Sequence, residues 1–285
     1  MNIQYIKSFI ALLSALLVFI SSSVGGQTSP QGAVLTETQP FVLVDMAVRA
    51  QGITTDGECY YFSSNFFLTK TTFEGETLVS NLAAIPADLF ASGCDHIGGI
   101  TYYNGKIYAP LEDGDEYLTP YILIFDADTL KFTGKKQLLS RELLPDGVPW
   151  CAADAERGLL YTSRWSHAAE LCVYDLETLE FIKTVPLTDE SGNPAQLDRI
   201  QGAEVFDGTL YCSSDIHDGQ PVFSVNPESG VVSLLFTRGF TTRTEAEGMT
   251  VLTSEDGSPV FVSMDLTRDN MKLPWSMNIR KYILK

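Results

Sequence analysis

The residues of this sequence that could do chemistry fall at two recurring places in five similar segments. All three histidines, His96, His167 and His217, lie at these places. Histidine can serve as a general base or a metal ligand near neutral pH, and carboxylates with amides can bind sugars or cations. The first place holds Gln51, Asp95, His96, Trp150, Gln201 and Glu247, and the second holds Asn65, Glu112, Arg164, His167, Asp215, His217 and Asp265.

Each of these side chains also has a purely structural interpretation. An aspartate at a strand end, such as Asp215, often caps a turn through its own backbone. A single histidine such as His96 or His217 is more often hydrogen-bonded or solvated than catalytic. Trp150 could fill the centre of the fold or stack on a sugar or another flat ligand. Both interpretations stay open at this point.

Glu204 and Glu247 pose a sharper question, because the repeat places both near the centre of the fold. Glu204 lies three residues into its segment, where other segments carry Thr54, Thr101 and Thr250. A buried carboxylate needs a donor, a proton or a cation. It could therefore accept hydrogen bonds from the threonines and water, or bind a hard cation such as calcium. We predict Glu204 and Glu247 as candidate metal ligands and calcium as the candidate ion.

The five segments repeat at intervals of 46 to 52 residues, which is typical of propeller blades. Each has a small residue at one equivalent position, which indicates a crowded place near an axis. Each then turns at a glycine, as in Asn104-Gly105 and Asp207-Gly208, pairs that close two-residue hairpins. An aromatic residue follows every turn, and we expect these residues to pack between blades: Tyr61, Tyr108, Tyr161, Tyr211 and Phe261.

The repeat predicts an all-β, five-bladed β-propeller with four antiparallel strands per blade. The fifth segment ends at Lys285 without a fourth strand, and the apolar stretch at residues 40 to 48 could supply it. A ring closed in this way buries both sheet edges. The expected domain spans residues 40–285, after a flexible segment at residues 27–39. Six blades, one of them degenerate, is the alternative.

The N-terminus has the layout of a secretory signal: Lys7, an apolar run at residues 9–20, and small residues up to Gly26. We therefore expect residues 1–26 to be removed on export and no membrane span to remain, although an uncleaved anchor is the alternative. The net charge of −17 disfavours nucleic acid as a partner. The five cysteines lack zinc or CxxC spacing, and no disulfide framework is expected.

Units such as VYDLETLEFIKTVPL and IFDADTLKFTGKKQL resemble the repeats of quinoprotein-dehydrogenase-like and lactonase-like secreted propellers. The resemblance covers residues 40–285 and implies a fold rather than an activity. A lactonase-like propeller would hold a central metal through Glu, Asn and Asp, and Asn65, Glu204, Glu247 and Asp265 could supply those ligands. HIGGITYYNGKIYAP and AEGMTVL also resemble the repeats of calcium-dependent nucleotidases, whose acidic strand entries are matched here only by Glu247.

The sequence contains no Walker, HExxH, GxSxG or CxxCH motif that would assign a reaction. We therefore predict an exported, monomeric propeller that acts as a binding or interaction scaffold, with a small molecule, glycan or protein bound at the central mouth. The alternative is a metal-dependent hydrolase of the lactonase, glycosidase or nucleotidase kind, with carboxylates at the mouth. The predicted ligand-binding residues are Gln51, Asn65, His96, Trp150, Arg164, Gln201, Asp215 and His217.

Overall fold

The structure is a computed structural model that describes residues 30–41, 43–114, 116–217, 219–240, 243–268 and 274–285. The predicted signal at residues 1–26 lies outside this part of the chain. Among the described residues, no helix has the length and apolar character needed to cross a bilayer.

Five sheets follow one another along the chain as blades. An N-terminal strand and helix, β1 (Ala33–Phe41) and α1 (Leu43–Arg49), come first. Blade 1 comprises β2 (Ile53–Thr55), β3 (Tyr60–Ser63), β4 (Leu68–Thr71) and β5 (Thr77–Asn81). After α2 (Ala87–Ala91), blade 2 comprises an inner strand in two pieces, β6 (His96–Ile97) and β7 (Thr101–Tyr103), then β8 (Lys106–Glu112), β9 (Tyr121–Asp126) and β10 (Phe132–Leu138).

The remaining blades have the same meander. Blade 3 comprises β11 (Ala152–Asp154), β12 (Leu159–Thr162), β13 (Glu170–Asp175) and β14 (Phe181–Pro186). Blade 4 comprises β15 (Ile200–Phe206), β16 (Thr209–Ser214), β17 (Pro221–Val225) and β18 (Val232–Thr237). Blade 5 comprises β19 (Thr244–Thr253), β20 (Pro259–Arg268), β21 (Pro274–Leu284) and, as its fourth strand, β1. The predicted five-bladed propeller is confirmed.

The N-terminal segment closes the ring, but its closing strand precedes the stretch expected at residues 40–48. β1 pairs antiparallel with β21, from Ala33 opposite Leu284 to Phe41 opposite Met277. Residues 33–39, expected to be flexible, therefore belong to the sheet. Residues 43–49 form α1, where Asp45 and Arg49 pair one turn apart at 3.2 Å. The outermost strand is mostly exposed, so the apolar alternation that marks a buried strand is absent from its sequence.

Aromatic residues pack between the blades as predicted. Tyr61, Tyr108, Tyr161 and Phe261 are buried, while Tyr211 is half-buried and meets the Phe261 ring edge-on at 5.0 Å. The inner strands converge so closely that a Cβ on Gly202 would lie 2.8 Å from the Cα of Gly248, and a Cβ on Gly248 would lie 2.8 Å from the Cα of Gly52. This crowding explains the small residues that recur at the start of each inner strand.

Candidate functional site

A cavity of about 380 Å³ opens where the inner strands begin and the second strands end. Its walls are polar, with carboxylates and carboxamides from every blade and two aromatic side chains. Blades 1 to 3, with the loops that join them, supply most of the lining, and blades 4 and 5 supply one residue each. The lining residues are Gln51, Asn65, Asp95, His96, Glu112, Gly114, Tyr117, Asp146, Pro149, Trp165, Gln201 and Glu245.

His96 lies at the centre of a hydrogen-bonded chain across blades 1 and 2. β6 and β8 pair His96 directly with Glu112, which brings Nδ1 to 3.1 Å from Glu112 Oε1. The other ring nitrogen, Nε2, lies 3.0 Å from Oε1 of Gln51. Both nitrogens therefore face oxygens, and this fixes the plane of the imidazole. About a quarter of the side chain, 23%, stays exposed to the cavity.

Glu112 also joins the site to the loop that enters blade 3. Its Oε2 accepts a hydrogen bond from the backbone N–H of Val148. The neighbouring residue, Gly147, has φ of +97°, and a Cβ at this position would lie 2.1 Å from the same oxygen. Only glycine allows this backbone to approach the carboxylate, so the loop and the His96–Glu112 pair form one unit.

Asp146 holds the blade 3 side of the cavity. It accepts hydrogen bonds from the backbone N–H groups of Trp165 at 3.1 Å and Ser166 at 2.8 Å, and Arg164 Nε lies 3.5 Å from its Oδ1. The indole of Trp165 lines the cavity, and the guanidinium of Arg199 lies 4.9 Å from its ring. The aromatic wall is thus fixed from both sides.

On blades 4 and 5 the equivalent strand ends carry buried aspartates that pair with arginines. Asp215 pairs with Arg199 and accepts a hydrogen bond from Gln220 at 3.3 Å, while burial raises the pKa of its carboxyl despite the arginine. Asp265 is fully buried and bonds to Arg280 Nε at 2.6 Å, and burial again raises its pKa. Arg238, also fully buried, donates to Ser213 and Ser263, each at 2.8 Å, and its pKa falls to about 10 because of burial.

Glu204 lies in the central channel, as the repeat predicted. Its Oε2 accepts hydrogen bonds from Thr250 Oγ1 at 3.0 Å and Thr54 Oγ1 at 3.2 Å. The carboxyl is enclosed by protein, while the residue as a whole is half-buried and retains some exposure to the channel. Burial raises its pKa to about 7, and the threonine hydrogen bonds lower it only in part. The hydrogen-bonded interpretation of this carboxylate therefore has its donors in place.

The structure brings together half of the predicted ligand-binding residues: Gln51, Asn65, His96 and Gln201 line the cavity. Arg164 does not line the cavity but pairs with Asp146, which does. Trp150 is fully buried, donates to Ser163 Oγ at 3.2 Å and does not line the cavity. Asp215 and His217 do not line the cavity either: Asp215 forms an ion pair with Arg199, and His217 is exposed in a turn.

Six lining residues were not predicted from the sequence: Gly114, Tyr117, Asp146, Pro149, Trp165 and Glu245. Trp165 and Glu245 had a detectable signal. Trp165 directly follows Arg164, and Glu245 lies two positions before Glu247 in the same segment. Tyr117 and Asp146 sit on long loops, where no periodicity indicates direction.

Glu247 is buried near the axis, where its backbone carbonyl accepts a hydrogen bond from Ser213 Oγ at 2.7 Å. Within the part of the chain that the structure describes, no group of three or more His, Cys, Asp or Glu side chains is arranged to hold a metal ion. Calcium binding by Glu204 and Glu247 stays a prediction.

Comparison with known proteins relates the chain to solved structures only. No protein-family model and no curated sequence matches it. A glutaminyl cyclase of Myxococcus xanthus is 12% identical with a TM-score of 0.59, covering 89% of this chain and 97% of that one. The β-xylosidase RS223 is 12% identical with a TM-score of 0.57, covering 87% and 95%. A GH43_1 enzyme of Xanthomonas citri is 12% identical with a TM-score of 0.52, covering 86% and 90%. At these identities the likeness establishes a shared fold.

Proposed function

We propose that this propeller binds a small, uncharged, polyhydroxylated ligand, such as a single sugar residue, in the cavity at its mouth. The observation that carries the proposal is the lining itself. Carboxylates of Asp95 and Glu245, carboxamides of Gln51 and Gln201 and the indole of Trp165 surround one volume of about 380 Å³. Acids and amides bond to hydroxyl groups, and an aromatic ring covers the C–H face of a sugar.

The charge of the cavity narrows the class of ligand. Its lining, as far as the structure describes the chain, includes four carboxylates and neither lysine nor arginine. A phosphate or carboxylate ligand would enter against this field, and the net charge of −17 adds to the repulsion. A nucleotide substrate is therefore disfavoured unless a metal ion accompanies it, whereas a neutral sugar meets no such barrier.

The bonds made by the carboxylates favour binding over catalysis. Glu112 accepts a hydrogen bond from the backbone N–H of Val148, and Asp95 accepts one from Gly114 at 2.9 Å. Asp146 accepts hydrogen bonds from the backbone N–H groups of Trp165 and Ser166. These backbone hydrogen bonds tie the acids to the loops that shape the cavity. A binding site uses them to fix its walls.

Glycoside hydrolysis is the second candidate, because four carboxylates, Asp95, Glu112, Asp146 and Glu245, line the same cavity. Hydrolysis of a glycosidic bond needs two carboxyl groups on opposite sides of one sugar ring. Two of the similar structures are a β-xylosidase and a GH43_1 enzyme, which makes this reaction class the one to test first. The metal-dependent lactonase-like chemistry suggested by the repeats would need Glu204 and Glu247 as ligands.

The proposal is tested by calorimetric titration of the purified protein with methyl glycosides of pentoses, hexoses and hexosamines. We expect saturable binding of at least one neutral glycoside and weaker binding of its phosphate ester. Gln51→Ala should weaken binding about tenfold, which is about 1.4 kcal/mol. Gln137→Ala, on outer strand β10, is the matched control and should leave the affinity unchanged.

Two outcomes would decide against the proposal: no heat from any neutral glycoside, or equal losses in Gln51→Ala and Gln137→Ala. Release of reducing sugar from an oligosaccharide that binds would establish the hydrolase candidate. Binding without release would leave the protein a sugar-binding propeller.

A further inference from the structure

Four large apolar side chains are exposed on the loops at the mouth side of blades 1 and 2. Phe66, Leu82, Phe90 and Leu118 are 38%, 62%, 58% and 45% exposed. We refer to these four residues as the apolar rim. The lining of the cavity is mostly polar, so the apolar rim differs from it in chemical character.

The apolar rim is continuous with the cavity along the chain. Phe66 directly follows Asn65, and Leu118 directly follows Tyr117, both of which line the cavity. Phe90 belongs to α2, whose C-terminal end leads into Asp95 and His96. Three of the four rim residues are thus carried by the same loops as the cavity lining.

A ring contact and hydrogen bonds within and between the loops hold the apolar rim in place. The Phe66 ring meets the Phe90 ring edge-on at 6.3 Å, and the backbone N–H of Ala84 donates to the Phe66 carbonyl at 3.1 Å. Asp113 accepts from the backbone N–H of Leu118 at 2.8 Å. The Sγ of Cys94 lies 3.4 Å from Thr119 Oγ1, which connects the loop after α2 to the loop that bears Leu118.

We propose that the apolar rim is a second subsite, which contacts an aromatic or aliphatic group attached to the sugar in the cavity. The inference rests on the proposed function and specifies its ligand: a glycoside with an apolar aglycone. Phe and Leu side chains offer no hydrogen-bond donor, so a second sugar ring would lose partners for its hydroxyl groups there. A hydrocarbon surface gains affinity in proportion to the apolar area removed from water.

The test compares methyl and phenyl glycosides of the same sugar by calorimetric titration with the whole protein. We expect the phenyl glycoside to bind roughly tenfold more tightly than the methyl glycoside. Phe90→Ser should abolish this preference and keep the affinity for the methyl glycoside. Phe181→Ser, on the outer strand of blade 3 where Phe181 is 49% exposed, should keep the preference. Leu118→Ser provides a second rim variant if Phe90→Ser folds poorly.

Equal affinities for the two glycosides in the wild-type protein would overturn the subsite and leave the proposed sugar binding intact. Absence of binding by every glycoside would overturn both. Sedimentation measurements test whether a second copy of this chain occupies the apolar rim instead. A wild-type dimer that dissociates in Phe90→Ser would assign the rim to that second copy and contradict the subsite.

Discussion

The two halves of the mouth use equivalent positions in opposite ways. At the ends of the second strands of blades 1 and 2, Asn65 and Glu112 line the cavity. After the second strands of blades 4 and 5, Asp215 and Asp265 are buried and paired with Arg199 and Arg280. The same repeat therefore builds a site on one side of the axis and an internal support on the other.

Arginine makes the difference between the halves. Arg199, Arg238 and Arg280 lie around the strand ends of blades 4 and 5, where they neutralise the acids and fill the space. The paired acids differ in burial: Asp215 and Asp265 are 2% and 0% exposed, whereas Asp146, the partner of Arg164 on blade 3, is 24% exposed. Propeller symmetry predicts where polar residues gather, whereas the local balance of charge decides whether they bind a ligand or each other.

Blade 5 depends on β1, so the largest effect is expected when that strand is removed. A chain trimmed through residue 41 exposes the edge of β21 and loses the pairing from Ala33 to Phe41. We expect it to lose cooperative thermal unfolding, measured by circular dichroism, because the ring no longer closes. A chain trimmed only through residue 29 is the control. A chain lacking β1 that melts as sharply and at the same temperature as this control would contradict the closure.

Arg280→Met tests the supporting half directly. It leaves the fully buried carboxylate of Asp265 without its ion-pair partner, which should cost about 3 to 5 kcal/mol in urea unfolding. Arg164→Met removes the corresponding but exposed partner of Asp146 and should cost no more than about 1 kcal/mol. Similar losses in the two variants would erase the distinction between the halves.

Glu204 predicts a pH dependence of stability with a definite sign. The pKa of its carboxyl is about 7 in the folded protein, compared with the ordinary glutamate value of 4.5 in the unfolded chain. Between these values the unfolded chain releases the proton while the folded chain retains it, so stability falls as the pH rises through this window. The penalty is complete above pH 7 and amounts to about 3 kcal/mol at most. Glu204→Gln should therefore gain stability over wild type between pH 5 and pH 8, measured by urea unfolding.

An identical pH dependence in wild type and Glu204→Gln would contradict this assignment. A calcium ion at Glu204 and Glu247 would give another result, because it would hold both carboxylates ionised. Melting curves recorded with excess calcium and with chelator, at matched ionic strength, separate the two. Bound calcium predicts a rise in melting temperature that Glu204→Gln abolishes, whereas threonine donors alone predict superimposed curves.

The repeat predicted the closed ring of blades and the two recurring places where polar residues gather, because spacing and turn chemistry are local properties. Hairpins such as Asn104-Gly105 and Asp207-Gly208 adopt positive φ at both residues, as the sequence indicated. The closing strand was predicted too late in the chain, because an exposed outer strand carries little apolar pattern and residues 43–49 suit a helix equally well.

Whether each residue at the mouth is buried or lines the cavity could not be predicted in the same way. Burial of Trp150 and of Asp215 depends on how neighbouring blades pack, and on arginines distant in sequence such as Arg238. Asp146 and Trp165 come together because two loops meet, a contact that no spacing within one blade encodes. Long-range packing therefore determines which half of the mouth is open.

The most direct test of this account compares two histidines in one titration. His96 lies in the cavity between Gln51 and Glu112, whereas His217 lies exposed at an equivalent strand end of blade 4. With the glycoside that binds wild type best, His96→Ala should weaken binding at least about tenfold, because the hydrogen-bonded chain that positions Gln51 is lost. His217→Ala should bind as wild type does. Equal affinities for the two variants, or a greater loss in His217→Ala, would show that the cavity on blades 1 to 3 is not the binding site.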